Sequence, residues 1–350
     1  MNEIMIGTRP VGMDHPPFII AEMSGNHNQS LDRALAIVDA AAEAGAHALK
    51  LQTYTADTIT IDLDRDEFMI HDPASLWKDR SLYQLYQQAF TPWEWHKPIM
   101  DRCRERGLIC FSTPFDETAV DFLEGLNVPA YKIASFENNH LPLIRKAAST
   151  GKPLIISTGM ATEDELDEAL SAAIEAGGED IIFLKCTSAY PASPEQANLR
   201  TIPHMSEYFG VPVGLSDHTL GIAVAVAGVA LGAVIIEKHF TISRADGGVD
   251  AAFSLEPAEL RALVRETEIA WKALGGVQYG PTENEKASLK FRRSIYVVKD
   301  MEAGETITPL NVRIIRPGLG LAPKHFEAVL GKRSSRAIKR GTPLSWDLIG

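Results

Sequence analysis

The sequence predicts a (β/α)8 TIM barrel followed by a small β-rich domain. Eight short apolar runs, each followed by a segment of helical spacing, fill about the first 280 residues. Every run ends in polar side chains, as the strands of a barrel with its chemistry on one rim would. After Gly280 the alternation stops and short strand-like runs with tight turns take over. A doubly wound parallel sheet is the alternative. However, no G-x-G-x-x-G opens a helix after a strand, and no G-x-x-x-x-G-K-[ST] loop occurs.

In chain order, Phe18 to Glu22 is the first run, followed by a polar turn. Ser30 then caps a helix over Leu31 to Ala44, with Gly45 past its end. His47 to Gln52 is a strand with Lys50 and Gln52 on one face. Thr53 to Phe90 is a long insertion carrying Trp77, Tyr83 and Tyr86, read as a lid with an extra helix or as plain decoration. Helix and strand then alternate: Pro92–Arg106 and Leu108–Phe111, Glu117–Leu126 and Ala130–Ala134, His140–Ser149 and Pro153–Ile156. Thr162–Ala176 is a helix opened by a Thr162/Glu165 capping box, and Ile181–Cys186 a strand. A short helix lies within Asn198–Tyr208, and the last helix spans about Pro257 to Leu274. The divisions are a barrel over 1–280, a linker over 281–290 and the small domain over 291–350.

Between these, Val213–Phe240 reads as strand, helix (Leu220–Gly232) and strand, with His218 and His239 just past or at the strand ends. Neighbouring parallel strands lie about 5 Å apart, so the two imidazoles meet in space. They either share a divalent metal or form a hydrogen-bonded rim pair.

Formal net charge is −12, which argues against a nucleic-acid or membrane-surface protein. The charge is uneven: 291–350 holds 11 Lys+Arg against 5 Asp+Glu, leaving 23 against 41 elsewhere. A basic tail and an acidic body suggest docking within one subunit or across two. Cys103, Cys110 and Cys186 are odd in number and scattered, which fits a reducing compartment. No leader pattern is visible, and the apolar stretch Gly221–Ile236 is shorter than the roughly 20 residues a bilayer span needs. The expectation is a cytoplasmic protein.

The rim set is Glu22; Lys50 and Gln52; Ser112 and Thr113; Lys132 and Ser135; Ser157 and Thr158; Thr187 and Ser188; Ser216 and His218; Glu237 and His239. Lysines among hydroxyls suit a phosphate or carboxylate, and a carboxyl such as Glu22 suits proton transfer. Lys50 or Lys132 as a Schiff-base lysine is a competing reading, and Glu22 as a simple ion-pair partner another. Lys185 and Lys238 have the opposite parity and read as structural, Asp217 as a turn carboxylate and Thr91–His96 as helix capping and packing.

These residues resemble the sialic acid synthase family. The carriers are IAEMSGNHN (Ile20–Asn28), KLQTY (Lys50–Tyr54), FSTPFD (Phe111–Asp116), YKIASFE (Tyr131–Glu137), ISTGMAT (Ile156–Thr162), GLSDHT (Gly214–Thr219) and EKHFT (Glu237–Thr241). The tail, with RRS, AGE, RPG, LGK and KRGTPL, resembles the family's antifreeze-like (SAF) domain. Leu184–His204 and His239–Pro257 are similar to the branch that makes pseudaminic acid. The sialic acid branch carries Asn-Glu where Ser188 and Ala189 stand here.

The resemblance implies condensation of phosphoenolpyruvate with an open-chain aminosugar, 2,4-diacetamido-2,4,6-trideoxy-L-altrose, to a nine-carbon 2-keto acid, with C–O cleavage releasing phosphate. It implies that His218 and His239 bind Mn²⁺, with Mg²⁺ or Co²⁺ as alternatives. Lys50, Thr113, Lys132, Ser135, Ser157, Ser188 and Ser216 would hold phosphoenolpyruvate. Gln52, Tyr190 and Asp250 would contact the sugar, and Glu22 and Lys50 would serve catalysis. It further implies a domain-swapped homodimer in which Arg316 reaches the partner's sugar. A Schiff-base aldolase and a non-catalytic carbohydrate-binding protein are the readings from other classes.

Overall fold

A computed structural model describes residues 3–73 and 75–350. The chain divides into two compact units, Met1–Gly275 and Gly276–Gly350.

In the first unit eight parallel strands close into a barrel. An amino-terminal hairpin, β1 (Ile4–Ile6) and β2 (Arg9–Val11), precedes it. The chain then runs β3 (Phe18–Glu22), α1 (Leu31–Ala44), β4 (Ala48–Thr53), α2 (Ala56–Ile59), α3 (Leu82–Ala89), α4 (Trp93–Glu105) and β5 (Ile109–Pro114). It continues α5 (Glu117–Gly125), β6 (Tyr131–Ile133), α6 (Leu141–Ala148), β7 (Leu154–Ser157), α7 (Glu163–Glu175) and β8 (Ile181–Cys186). The last barrel elements are α8 (Thr201–Phe209), β9 (Val213–Ser216), α9 (Ala223–Ala230), β10 (Ile235–His239) and α10 (Pro257–Leu274). The barrel closes where β10 pairs with β3, with His239 opposite Glu22, while Glu22 faces Lys50 across the β3–β4 ladder.

Local signals explain the ends of several helices. Ser30 accepts from the Arg33 N–H at the start of α1, and Gly45 ends it at φ 89°. Thr162 and Glu165 form the expected capping box at α7. The helix α9 is shorter than the Leu220–Gly232 its composition suggests. Lys238 Nζ takes the Thr219 and Gly221 carbonyls at 2.6 and 2.9 Å and Asp217 at 2.9 Å, so those carbonyls face a lysine rather than a helix. Lys238 and Asp217 are thus structural, as their positions suggest.

Strand parity sorts the core into two shells. Outward-facing residues such as Ile19, Leu49, Ile133 and Ile156 pack under the helices. Inward-facing ones, among them Phe18, Ile20, Phe111, Ile155, Ile182 and Ile235, fill the lumen together with Ile4, Ile6 and Val11 of the hairpin. The hairpin therefore plugs the amino end of the barrel. The sequence reading did not anticipate it, because three-residue strands carry no period. Along each strand the same inward face becomes polar toward the carboxyl end: Ile20 to Glu22, Ala48 to Lys50, Ile155 to Ser157, Ile235 to Glu237.

The insertion contributes α2 and α3, and Trp77 Nε1 donates to the Val249 carbonyl at 2.8 Å, which ties the insertion to the segment after β10. All three cysteines are free and buried. Among the described residues no helix is long and apolar enough to cross a membrane.

The second unit holds α11 (Glu283–Lys286), the antiparallel pair β11 (Ser294–Val297) and β12 (Val312–Ile315), and α12 (Phe326–Val329). Its core is built from Ile295, Val297, Ile307, Val312, Ile338 and Leu344. The 281–290 linker expected from sequence is structured and belongs to this unit, whose boundary is Gly276. A Thr282/Glu285 capping box starts α11 inside that stretch.

Ile6 is fully buried in the lumen, so Ile6→Ala should lower the unfolding free energy by about 2–4 kcal/mol. Urea unfolding monitored by tryptophan fluorescence reads this directly. A loss below about 0.5 kcal/mol would mean that the plug does not support the barrel.

Candidate active site

At the carboxyl end of the lumen four buried charges meet. Lys50 Nζ lies 2.7 Å from Glu22 Oε2 and 3.4 Å from Glu237 Oε1, and donates to Thr113 Oγ1 at 3.1 Å. Glu22 Oε1 accepts from Gln52 Nε2 at 3.0 Å and from the Ser24 N–H at 3.2 Å. Lys132 Nζ donates to Ser157 Oγ at 2.7 Å and to the Ile133 carbonyl at 3.2 Å. Ser216 Oγ donates to Glu237 Oε1 at 3.5 Å.

Burial and charge divide these groups. Burial pushes the Glu22 carboxyl above its ordinary range, against the pull of Lys50. Burial would raise Glu237 too, but Lys50, Lys132 and His218 outweigh it and hold it low. Lys50 is pushed up because Glu22 and Glu237 outweigh its own burial, while burial takes Lys132 down. One carboxyl that readily keeps its proton beside two ammonium groups leaves a local positive charge, the condition for an anion site.

A second group lies beside Lys132. The Gly159 N–H donates to Ser135 Oγ at 3.2 Å. A Cβ at Gly159 would sit 2.2 Å from Ser188 Oγ and 2.6 Å from Ser135 Oγ, so only glycine lets the two hydroxyls converge.

The third group is aromatic. The His218 and His239 rings lie 5.3 Å apart, centroid to centroid. Tyr190 packs on His218 at 4.5 Å, and Phe253 on His239 at 4.8 Å and on Tyr190 at 5.3 Å. Trp77 covers Tyr190 at 5.8 Å. His218 Nδ1 is 3.0 Å from the Thr187 carbonyl, which accepts its proton and leaves the Nε2 lone pair free. Burial would lower His218, but the adjacent Cys186 sulfur outweighs it and raises it. His239 is held neutral by burial and by His218, and its buried Nδ1 has no hydrogen-bond partner, with Asp250 Oδ2 3.6 Å away. Burial pushes Asp250 up to about 6, although Ser24 Oγ donates to it.

Among the described residues no set of three or more His, Cys, Asp or Glu side chains could hold a metal. What the described residues would offer a metal is the pair of imidazoles of His218 and His239. The neutral His239 with its orphaned nitrogen and the fixed tautomer of His218 fit a divalent ion whose other positions belong to substrate or water.

The structure thus gathers every expected barrel residue at one mouth: Glu22, Lys50, Gln52, Thr113, Lys132, Ser135, Ser157, Ser188, Tyr190, Ser216, His218, His239 and Asp250. Arg316 lies in the second unit, exposed, immediately after β12. Sequence reasoning put Glu237 on the rim without a role, although its parity matches His239. It passed over Glu137, Ser24 and Phe253, which come from loops and short turns without periodicity. Glu137 is half-buried, its Oε2 lacks a partner, and burial pushes it up to about 7.

With this geometry in view, comparison with known proteins is specific. Residues 37–279 match the NeuB family and residues 292–350 the SAF domain. The chain is 44% identical over 331 residues to the pseudaminic acid synthase of Campylobacter jejuni, covering 95% of this chain and 96% of that one. It is 44% identical over 338 residues to the pseudaminic acid synthase of Helicobacter pylori, covering 96% and 98%. Among solved structures, the N-acetylneuraminic acid (sialic acid) synthetase of Leptospira borgpetersenii, in complex with citrate, superposes with a TM-score of 0.73. That pair shares 33% identity, with 83% of this chain and 96% of that one covered.

Glu137 yields a pH signature. Its folded pKa, about 7, lies above its ordinary 4.5. Its contribution to stability is therefore fully present below about pH 4.5 and lost as pH rises through 7, a change of about 3 kcal/mol. In ligand-free protein Glu137→Gln should remove that slope. The stability of the parent relative to the variant should fall between pH 4.5 and 8, and a constant difference would contradict the assigned burial effect.

Proposed function

The chain belongs to the NeuB family, and we propose that it is a pseudaminic acid synthase. It would condense phosphoenolpyruvate with 2,4-diacetamido-2,4,6-trideoxy-L-altrose and water to give pseudaminate and phosphate. One observation carries the reaction type: two buried lysines among converging serines, beside two imidazoles at the same barrel mouth. Its similarity to the Campylobacter and Helicobacter pseudaminic acid synthases supports the choice of sugar.

In this proposal Lys50, Lys132 and the hydroxyls of Thr113, Ser135, Ser157, Ser188 and Ser216 hold the phosphate and carboxylate of phosphoenolpyruvate. The lysines neutralise the anion, and the hydroxyls fix its orientation. His218 and His239 would hold a divalent ion, Mn²⁺ or else Mg²⁺ or Co²⁺, which when bound supplies Lewis-acid polarisation of the sugar aldehyde. Carbon 3 of phosphoenolpyruvate bonds to the aldehyde carbon, and the aldehyde oxygen takes a proton. Glu22, whose carboxyl burial keeps protonated more readily than usual, delivers that proton. Water adds at carbon 2, giving one proton back to Glu22 and the other to the departing phosphate, which leaves with its bridging oxygen as the keto group forms.

Gln52, Tyr190 and Asp250 line the sugar side, and Trp77, Tyr190 and Phe253 form an apolar wall that excludes bulk water. We further propose a cytoplasmic homodimer with exchanged second domains, in which Arg316 of one copy meets the sugar of the other. The basic 291–350 segment and the acidic remainder favour such docking.

The test is phosphate release from phosphoenolpyruvate against a panel of N-acetylmannosamine and the diacetamido-trideoxy sugars. The altrose derivative should be preferred; preference for N-acetylmannosamine would make the chain a sialic acid synthase instead. Chelation should stop turnover and Mn²⁺ restore it. His218→Ala and His239→Ala should each lower kcat/KM by more than about a hundredfold, the loss of several kcal/mol of transition-state stabilisation, in folded protein. A lysine adduct trapped by borohydride with pyruvate would point to Schiff-base chemistry. Arg316→Ala should raise the KM for the sugar more than that for phosphoenolpyruvate, and unchanged sugar kinetics would exclude the exchanged-domain contact.

A further inference from the structure

A cavity of about 670 Å³ lies between the β7–α7 turn, the end of β8 and α8. It is outside the lumen: Leu184, the residue before Lys185, faces the lumen core, so Lys185 points the other way and lines this cavity. Lys185 is only 9% exposed. Its Nζ donates to the Cys186 carbonyl and Thr187 Oγ1, both at 3.0 Å.

Among the described residues no carboxylate lies within ion-pair distance of it. Lys238 is the control. It has the same outward parity and is similarly buried, yet it is neutralised by Asp217 at 2.9 Å. Burying an ammonium group without a counter-charge is costly, and burial lowers the Lys185 pKa, so a bound anion is what would stabilise its charged form.

The cavity mouth adds Arg200 and His204, four residues apart at the start of α8 and both exposed. Two carboxylates also line it. Glu195 accepts from Ser193 Oγ, and Glu163 is engaged by Tyr208. Leu166, Leu199, Met205 and Phe209 supply an apolar side. A volume of this size is typical for a small-molecule ligand.

We propose that this cavity is a second ligand site, separate from the catalytic lumen, for a small organic anion whose carboxylate or phosphate sits on Lys185 and whose body rests on the apolar side. The site is wired to the rim. Thr187 accepts from Lys185 through its hydroxyl, and its carbonyl faces His218 Nδ1. An anion that draws Lys185 away from Thr187 acts on the residue that orients His218. The site itself does not depend on the proposed reaction, whereas its effect on His218 does.

Calorimetric titration without turnover tests it, with three probes: inorganic phosphate, a nucleoside monophosphate and N-acetylneuraminate as a nine-carbon sugar acid. Lys132→Met weakens anion binding in the lumen and isolates the cavity. At least one probe should bind Lys132→Met at one site per chain, and adding Lys185→Met should weaken it at least about tenfold. Which probe binds separates a phosphate from a sugar-acid ligand. Arg200→Glu, at an exposed position, should also weaken it if the lysine variants fold poorly.

Without ligand, Lys185→Met alone should not lower Tm, because it removes an uncompensated buried charge. The proposal is overturned if no probe binds Lys132→Met, if Lys185→Met and Arg200→Glu leave binding unchanged, or if Lys185→Met lowers Tm by more than about 5 °C, as loss of a structural lysine would.

Discussion

Lys50 sits between Glu22 and Glu237 in a space closed below by packed apolar side chains, and the rest of the mouth is set by that arrangement of charge. None of the three could be buried alone. Together they are tolerable, and the addition of Lys132 tilts the balance toward positive. The carboxylates respond unequally: Glu237, under the influence of both lysines, stays ionised, while burial lets Glu22 keep its proton more readily. A lumen with one proton donor, one fixed anion and two cations carries a net positive charge that favours an anionic substrate.

This balance depends on what lies beneath it. The inward faces of the strands are apolar at the amino end and polar at the carboxyl end, and Ile4, Ile6 and Val11 of the hairpin complete the apolar layer. Were water to enter from below, the dielectric around Lys50 would rise and its pairing with Glu22 and Glu237 would weaken. Stability and chemistry are therefore separated along the barrel axis, yet the second requires the first.

Much of this is legible in the sequence, for physical reasons. A strand has a period of two, so Lys50 with Gln52 and Glu237 with His239 announce a shared face. The rim rule for barrels then brings distant pairs together. What stayed hidden has no period. The three-residue strands of the hairpin are too short to show alternation. Phe253, Ser24 and Glu137 come from turns whose positions depend on tertiary contacts. The start of α9 could not be read because a side chain from the next strand, Lys238, claims the carbonyls that would have begun it. Lys185 and Lys238 look alike in sequence, and only the structure distinguishes the paired lysine from the unpaired one.

Pairing of β3 with β10 joins the two ends of the barrel in sequence, and the hairpin plug packs against Ile235 of the same late strand. The container for the plug is therefore incomplete until β10 has been synthesised and docked. Contacts of such long sequence separation slow folding, because loop-closure entropy is lost before the contact repays it. During synthesis Ile4, Ile6, Phe18 and Ile20 remain exposed while most of the barrel emerges, and they are adhesive surface for that interval. The closure that seals the amino end of the barrel thus leaves these apolar residues uncovered in the nascent chain until its last strand arrives.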